Sequence, residues 1–360
     1  MPHRHHFDLT AASARFDAFW RCGLADRPPV SLWVKHDGPA PGPVSHHPTL
    51  REQWMDVDFQ VERALARLQT VPSWGDTIPS FSPNLGPNLT ATLFGVNLEF
   101  GEITSWCDHT LADISEWERF LQTPANFDNI YWQTIERMIT RAAERFPSDY
   151  IIAMPDLHGN YDILSDLRGP ENLCLDMVDD PDLVMRAVRH ASQGYREAFQ
   201  RMHQRLSGLG QPSTTWAVYL HDGPAYVPSC DFWCLVSADV GREMIVPLIE
   251  FEMAPLERSI FHLDGPQALR HLDSVLRLPG LNALQWVFGD GQGRAIDWLH
   301  IYRQALDANI AVQILAVDAA DALATLRALG PRGLWLQVCT PLDNDAHAAE
   351  FLDAVAAASR

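Results

Sequence analysis

From residue 259 to the C-terminus the chain keeps one rhythm, an apolar run, a turn and a helical segment, repeated four times. The pattern predicts strands at 259–263, 283–288, 310–315 and 333–338, with helices at 266–277, 295–307, 319–329 and 345–358. Strands that alternate with helices are joined by crossovers, so the sheet they build is parallel. Earlier segments fit the same scheme. Helices are predicted at 13–22, 50–69, 113–122 and 127–146, and strands at VSLWV (30–34), YIIAM (150–154) and DFWCLV (231–236). Asp180 before Pro181 marks the start of a long helix ending near 207, since a side-chain cap and a preset φ coincide there. A hairpin-like stretch covers 214–228, and Ser237 caps a helix that Pro247 kinks. The Pro-, Gly- and Asn-rich region 71–102 hides one more strand, near 74–80 or 91–98. Eight strands in 360 residues favour a single α/β domain over 1–360, a (β/α)8 TIM barrel with residues 1–29 as an N-terminal helical extension. A doubly wound open sheet is the alternative.

In such folds the chemistry gathers where strands hand over to helices. RSIFHLDG (258–265) delivers His262 and Asp264 to that edge, YIIAMPDLHG (150–159) delivers Asp156 and His158, and DFWCLV opens on Asp231. ALQWVFGDG (283–291) contributes Gln285, Trp286 and Asp290, and LWLQVCT (334–340) contributes Gln337 and Cys339. An expectation follows: Asp156, Asp231, His262, Trp286 and Gln337 ring one mouth.

Charge and composition remove several functions. A net charge of −19 argues against nucleic acid, whose phosphates need a basic face, and against polyanionic substrates. Lys35 is the single lysine and sits in WVKHD, so no P-loop forms and pyridoxal phosphate has no suitable partner. GDGQG (289–293) departs from the dinucleotide fingerprint at Arg294, which leaves NAD out and a plain strand–helix turn as the better account. No apolar run approaches a membrane span. The N-terminus has no apolar h-region, so the cytoplasm is the expected compartment and the six cysteines are thiols or ligands. His3, His5 and His6 read as a frayed end rather than a metal site.

Two constellations carry chemistry. Imidazole, carboxylate and thiolate are all zinc ligands, which makes His262, Asp264 and Cys339 a candidate metal set. The structural alternative has His262 in a hydrogen bond, Asp264 capping a helix and Cys339 in the core. Zinc requires the Cys339 and His262 donors to meet; a thiol turned elsewhere leaves carboxylate–histidine chemistry at the same edge. Asp156 and His158 form the second set, an acid–base pair or a turn held by Asp and Gly159. Of the tryptophans, Trp286 is the candidate pocket wall.

The pieces RFDAFWRCGLADRPPVSLWV, PDLHGNYDILSDLRGPENLCLDMVDDPDLV, CDFWCLVSADVGREMIVPLIE and FHLDGPQALRHLD with LQWVFGDGQG, spread over roughly residues 13–355, resemble the uroporphyrinogen decarboxylase superfamily, nearest a branch whose strand ends in HLDG. That superfamily also holds zinc-dependent corrinoid and coenzyme M methyltransferases. The resemblance implies a (β/α)8 barrel enzyme, with a methyl group passing between a small substrate and a thiol or a corrinoid carried by a partner protein. The methyltransferases pair His with Cys where this chain has His262 and Asp264, an exchange that makes a metal site more oxygen-rich. The decarboxylase's Arg-rich motif is missing from PVSLWVKHDG, which argues against porphyrinogen as substrate. The resemblance thus points to methyl transfer, with zinc on His262, Asp264 and Cys339 and a pocket of Asp156, His158, Asp231, Gln285 and Trp286; Gln337 and Asp290 are further substrate contacts. The alternatives are a metal-free decarboxylase or lyase using Asp264, Asp231 or His158, and a non-catalytic protein that binds a corrinoid partner. A homodimer is compatible with either enzyme.

Overall fold

The structure is a computed structural model that describes residues 7–36, 38 and 40–360; His3, His5 and His6 lie outside the described residues. Its frame is a (β/α)8 barrel. The barrel strands are β1 (Val30–Trp33), β2 (Ser80–Phe81), β3 (Ile151–Ile152), β4 (Ala225–Tyr226), β5 (Arg258–Asp264), β6 (Ala283–Val287), β7 (Ala311–Ala316) and β8 (Leu334–Val338). Six of them pair in parallel in the order β4-β5-β6-β7-β8-β1, and β2 pairs in parallel with β3.

Two seams interrupt the ladder, and other groups bridge them. At the first, Thr77 Oγ1 accepts from Leu32 N and donates to Leu32 O, both at 2.8 Å. A short strand, Ser73–Gly75, also pairs antiparallel with β1 there. At the second, Met154 N donates to Thr214 O, and Tyr226 OH accepts from Leu157 N while donating to Pro155 O. The region 71–102 thus holds three short strands, Ser73–Gly75, Ser80–Phe81 and Leu98–Phe100, of which Ser80–Phe81 is the barrel strand β2, and 87–94 is a 3-10 turn.

Strand residues alternate between two cores. Outward-facing Phe261, Leu263, Leu284, Trp286, Val312, Ile314, Leu336 and Val338 join the large core beneath the helices. Inward-facing Ile260, Ala283, Ala311 and Trp335 belong to a second cluster with Phe16, Phe19 and Trp20 of the N-terminal extension. Helix α1 (Leu9–Phe19), capped by Asp8, thus serves as the barrel floor, with Phe16 edge-on to Trp335 at 5.2 Å. Buried Asp76 ties this extension to β1, receiving Arg15, Arg27 and Val30 N.

Two of the expected helices are shorter and tighter than the sequence suggests: 266–277 is a 3-10 segment, Pro266–His271, followed by Leu272–Val275, and 113–122 is a 3-10 turn, Ile114–Glu116, followed by Trp117–Phe120. The expected 50–69 helix is broken at Asp56, which caps the second part through Phe59 N. Helix α2 spans Ile130–Arg145, α3 Asn160–Arg168, and α4 Pro181–Gly208 with Asp180 accepting from Leu183 N. The Pro247 disturbance appears as a π-helical turn, Gly241–Ile245, leading into α5 (Val246–Met253). Helices α6 (Leu299–Asp307), α7 (Ala319–Leu329) and α8 (Asp345–Ala358) complete the outer layer. No described helix is long and apolar enough to cross a membrane.

One expected strand is absent: Phe232–Leu235 of DFWCLV forms a 3-10 turn. Its cause is Asp162 on α3, whose buried carboxylate accepts from Asp231 N at 3.0 Å and Phe232 N at 2.8 Å. Two backbone donors taken by one side chain are withdrawn from any ladder.

Candidate active site at the barrel mouth

The segment after β3 is the most constrained part of the mouth. Asn160 has φ +38, a conformation Asn tolerates better than most residues. Its backbone N donates to Glu252 at 2.6 Å, and its side chain donates to Glu252 at 2.9 Å and to Ser229 O at 2.9 Å. Ser192 donates to the same carboxylate at 2.7 Å. A Cβ on Gly159 would stand 2.5 Å from that carboxylate, so glycine is required by close approach. Burial pushes Glu252 up to about 7 despite these donors.

This anchor presents His158 between two carboxylates, Nε2 3.5 Å from Asp156 and Nδ1 3.6 Å from Asp162. Burial opposes its charged form, but the two aspartates outweigh that and hold the imidazole well above its ordinary range. Asp231 opens onto the mouth. The mass packed around it, then the like charge of Asp162, push it up to about 6 against the pull of His158 and His262. Asp166 is pushed up to about 7 by burial and by Asp162, although Asn88 donates to it. A cavity of about 330 Å³ lies here, lined by His158, Asp162, Asp166, Asp231, Phe232 and Cys234.

His262 and Asp264 end β5 beside Asp231, and one donor atom from each of the three lies within 4.8 Å of the others. His158, Asp162 and Asp231 converge in the same way, so Asp231 is common to both groups. Trp216 closes the arrangement: its ring stands edge-on to His262 at 5.5 Å, and its Nε1 donates to Asp156 at 3.1 Å. Trp216 also lines a larger cavity of about 630 Å³, with Trp33, Trp54, Arg63, Phe81 and Thr215. Among the described residues no Lys or Arg forms an ion pair with Asp156, Asp162, Asp166, Asp231 or Asp264.

Several expected residues stand elsewhere. Cys339 belongs to neither converging group. Strand β8 ends at Val338, so the alternation that would turn residue 339 inward has lapsed, and the charge acting on its thiol is Asp321 of α7. Desolvation and Asp321 push that thiol up, away from a thiolate ligand. Trp286 is fully buried on the outer face of β6 against Trp298, centroids 5.3 Å apart, and lines neither of the two cavities at the mouth. Asp290 is exposed in the turn after β6. Gln285 is buried and bonded to Gln313, with Gln337 joined beyond it.

Of the ring expected around the mouth, Asp156, Asp231 and His262 come together through His158 and Trp216, Gln337 is bonded to Gln313 on the neighbouring strand, and Trp286 lies in the outer core. Asp162, Trp216, Cys234 and Gln313 were not singled out in the sequence. Asp162 lies in the first turn of α3, just past the His158–Gly159 turn, and nothing in its spacing sets it apart in the sequence. Cys234 carries only the loose CxxxC spacing; its thiol lies 3.5 Å from Asp264 O and is pushed up to about 11 by burial and by Asp231 and Asp264.

No family model matches the sequence, and no curated protein does. A solved methyltransferase from Methanosarcina mazei superposes with a TM-score of 0.60 at 15% identity, covering 96% of this chain and 98% of that one. The two share a fold. A B12-independent methionine synthase from Shewanella sp. W3-18-1 aligns at a TM-score of 0.43 and 10% identity over 91% of this chain and 96% of its own, too low a likeness to bear on the architecture.

Proposed function

We propose that the chain is a methyltransferase that takes a small neutral or cationic methylated molecule at the barrel mouth and passes the methyl group to a thiol or corrinoid acceptor. The observation that carries this reading is the set of mouth carboxylates without Lys or Arg ion partners, at Asp156, Asp162, Asp231 and Asp264, with the Trp216 ring beside them. Such a mouth attracts a methylated ammonium or sulfonium through charge and the indole face, and repels a polycarboxylate. In the transfer, the C–N or C–S bond breaks with its electron pair going to the leaving amine or sulfide. The acceptor's lone pair forms the new bond to carbon. The superfamily resemblance and the shared barrel support the same reaction class.

The zinc set with Cys339 does not fit this chain, but His262, Asp264 and Asp231 offer one imidazole nitrogen and two carboxylates that suit a divalent cation of harder preference. Bound there, a cation supplies Lewis acidity to the donor or acceptor. Asp231→Asn and Asp264→Asn are expected to weaken zinc or manganese binding at least tenfold in calorimetry, and Cys339→Ala to leave it unchanged.

A second reading, metal-free lyase or decarboxylase chemistry, is favoured by one observation. Asp231 at about 6 is poised to exchange a proton near neutrality beside the held charge of His158. Incubating the protein with methylated ammonium, sulfonium and methoxylated compounds, and either a thiol or cob(I)alamin, separates the two. Methyl thioether or methylcobalamin supports methyl transfer. Carbon dioxide released from a small acid with no methylated product, or turnover of uroporphyrinogen, overturns it.

A further inference from the structure

Gln285, Gln313 and Gln337 lie on three consecutive strands, β6, β7 and β8, and their amides join end to end. Gln285 Nε2 donates to Gln313 Oε1 at 2.7 Å, and Gln313 Nε2 donates to Gln337 Oε1 at 2.8 Å. Gln285 and Gln313 are 2% and 0% exposed. At the near end, Gln285 Oε1 meets Nδ1 of His262 on β5. An amide oxygen has no proton to give, so Nδ1 must carry it.

We propose that this ladder is a positioning device that holds neutral His262 as its Nδ1–H tautomer and leaves the lone pair on Nε2. Turning one buried amide alone would set two oxygens or two NH2 groups face to face. The three amides therefore keep or reverse their direction together, and Gln337, two residues removed from the imidazole along the ladder, helps decide where its proton sits. A metal-ligating or basic histidine is commonly held this way, with one ring nitrogen donating to an oxygen and the other free. The use made of Nε2 rests on the mouth being the reactive site proposed above; the tautomer rests only on the ladder.

Two-bond ¹H–¹⁵N correlation spectra of the full ¹⁵N-labelled chain, taken where imidazole is neutral, read the tautomer directly. The His262 peaks are identified by their loss in His262→Gln. The expected pattern is that of Nδ1–H. Gln337→Leu removes the ladder's terminal acceptor and should shift the tautomer ratio several-fold toward Nε2–H, whereas Gln285→Glu keeps an acceptor at Nδ1 and should retain the parent pattern. An Nε2–H signal in the parent chain overturns the proposal, and so does a tautomer ratio unmoved in a folded Gln337→Leu. Should that variant fail to fold, the parent spectrum still decides the tautomer. A chain that shows Nδ1–H but transfers no methyl group counts against the reading of the mouth and leaves the ladder standing.

Discussion

The titrating residues of the mouth bias stability in one direction. Glu252 and Asp166 at about 7 and Asp231 at about 6 hold protons more tightly folded than unfolded. Between the ordinary carboxyl range and these values the folded chain binds more protons, so stability falls as pH rises. His158 has the same sign. Its raised pKa gives stability that is complete below the ordinary imidazole value of about 6.5 and is lost as pH climbs through the folded value. Fully buried Glu252 alone is displaced by an amount worth on the order of 3 kcal/mol. Urea midpoints should therefore fall between about pH 5 and pH 8, and Asp162→Asn should flatten the part owed to His158. A midpoint rising over that range would contradict these assignments. On the acid side Asp26, held down to about 2 by Arg15, works the other way, its contribution vanishing as pH drops below the ordinary carboxyl range.

Strand alternation decides which side chain of an element can meet a ligand. Gln285 and Trp286 are adjacent on β6, yet one lies on the inner ladder and the other in the outer core. The Trp286 Nε1 has no hydrogen-bond partner, so Trp286→Phe removes a buried orphan donor while keeping most of the packing. That change should cost about 1–2 kcal/mol and Trp286→Ala about 3–5 kcal/mol in denaturant titrations. Ligand affinity of Trp286→Phe should equal that of the parent chain; a change in affinity would return Trp286 to the pocket wall. Trp216 is the aromatic that touches Asp156 and His262 at the mouth. It lies in the stretch 214–228 that reads as hairpin-like, which gives no reason to single out one side chain, and its place comes from its contacts with Asp156 and His262.

Across the whole molecule, the N-terminal extension belongs to the barrel. Phe16 and Phe19 both pack edge-on against Trp335, and Trp20 Nε1 donates to Leu220 O. Phe16→Ala opens a cavity at the centre of the floor and should cost about 3–5 kcal/mol. Removing residues 1–20 should leave a chain that binds a hydrophobic dye and unfolds without cooperativity. Cooperative unfolding of the shortened chain would make the extension an appendage.

The barrel class, the order of its later strands and the placing of His262 and Asp264 at the end of β5 and of His158 in the turn after β3 were legible in the sequence, because hydrophobic period and cap residues act over a few neighbours. What lay outside that range came only from tertiary structure. Asp162 turns the 231–236 run from strand to 3-10 turn across about 70 residues. Past the end of β8 at Val338 the Cys339 thiol feels the charge of Asp321 and stands outside the His262 group. Parallel pairing of β6, β7 and β8, with Gln313 in register opposite Gln285, brings Gln285, Gln313 and Gln337 into one chain of amides. Local sequence sets which elements form and which face is apolar; the partner of a polar group is chosen by whatever the closed fold brings within hydrogen-bond reach.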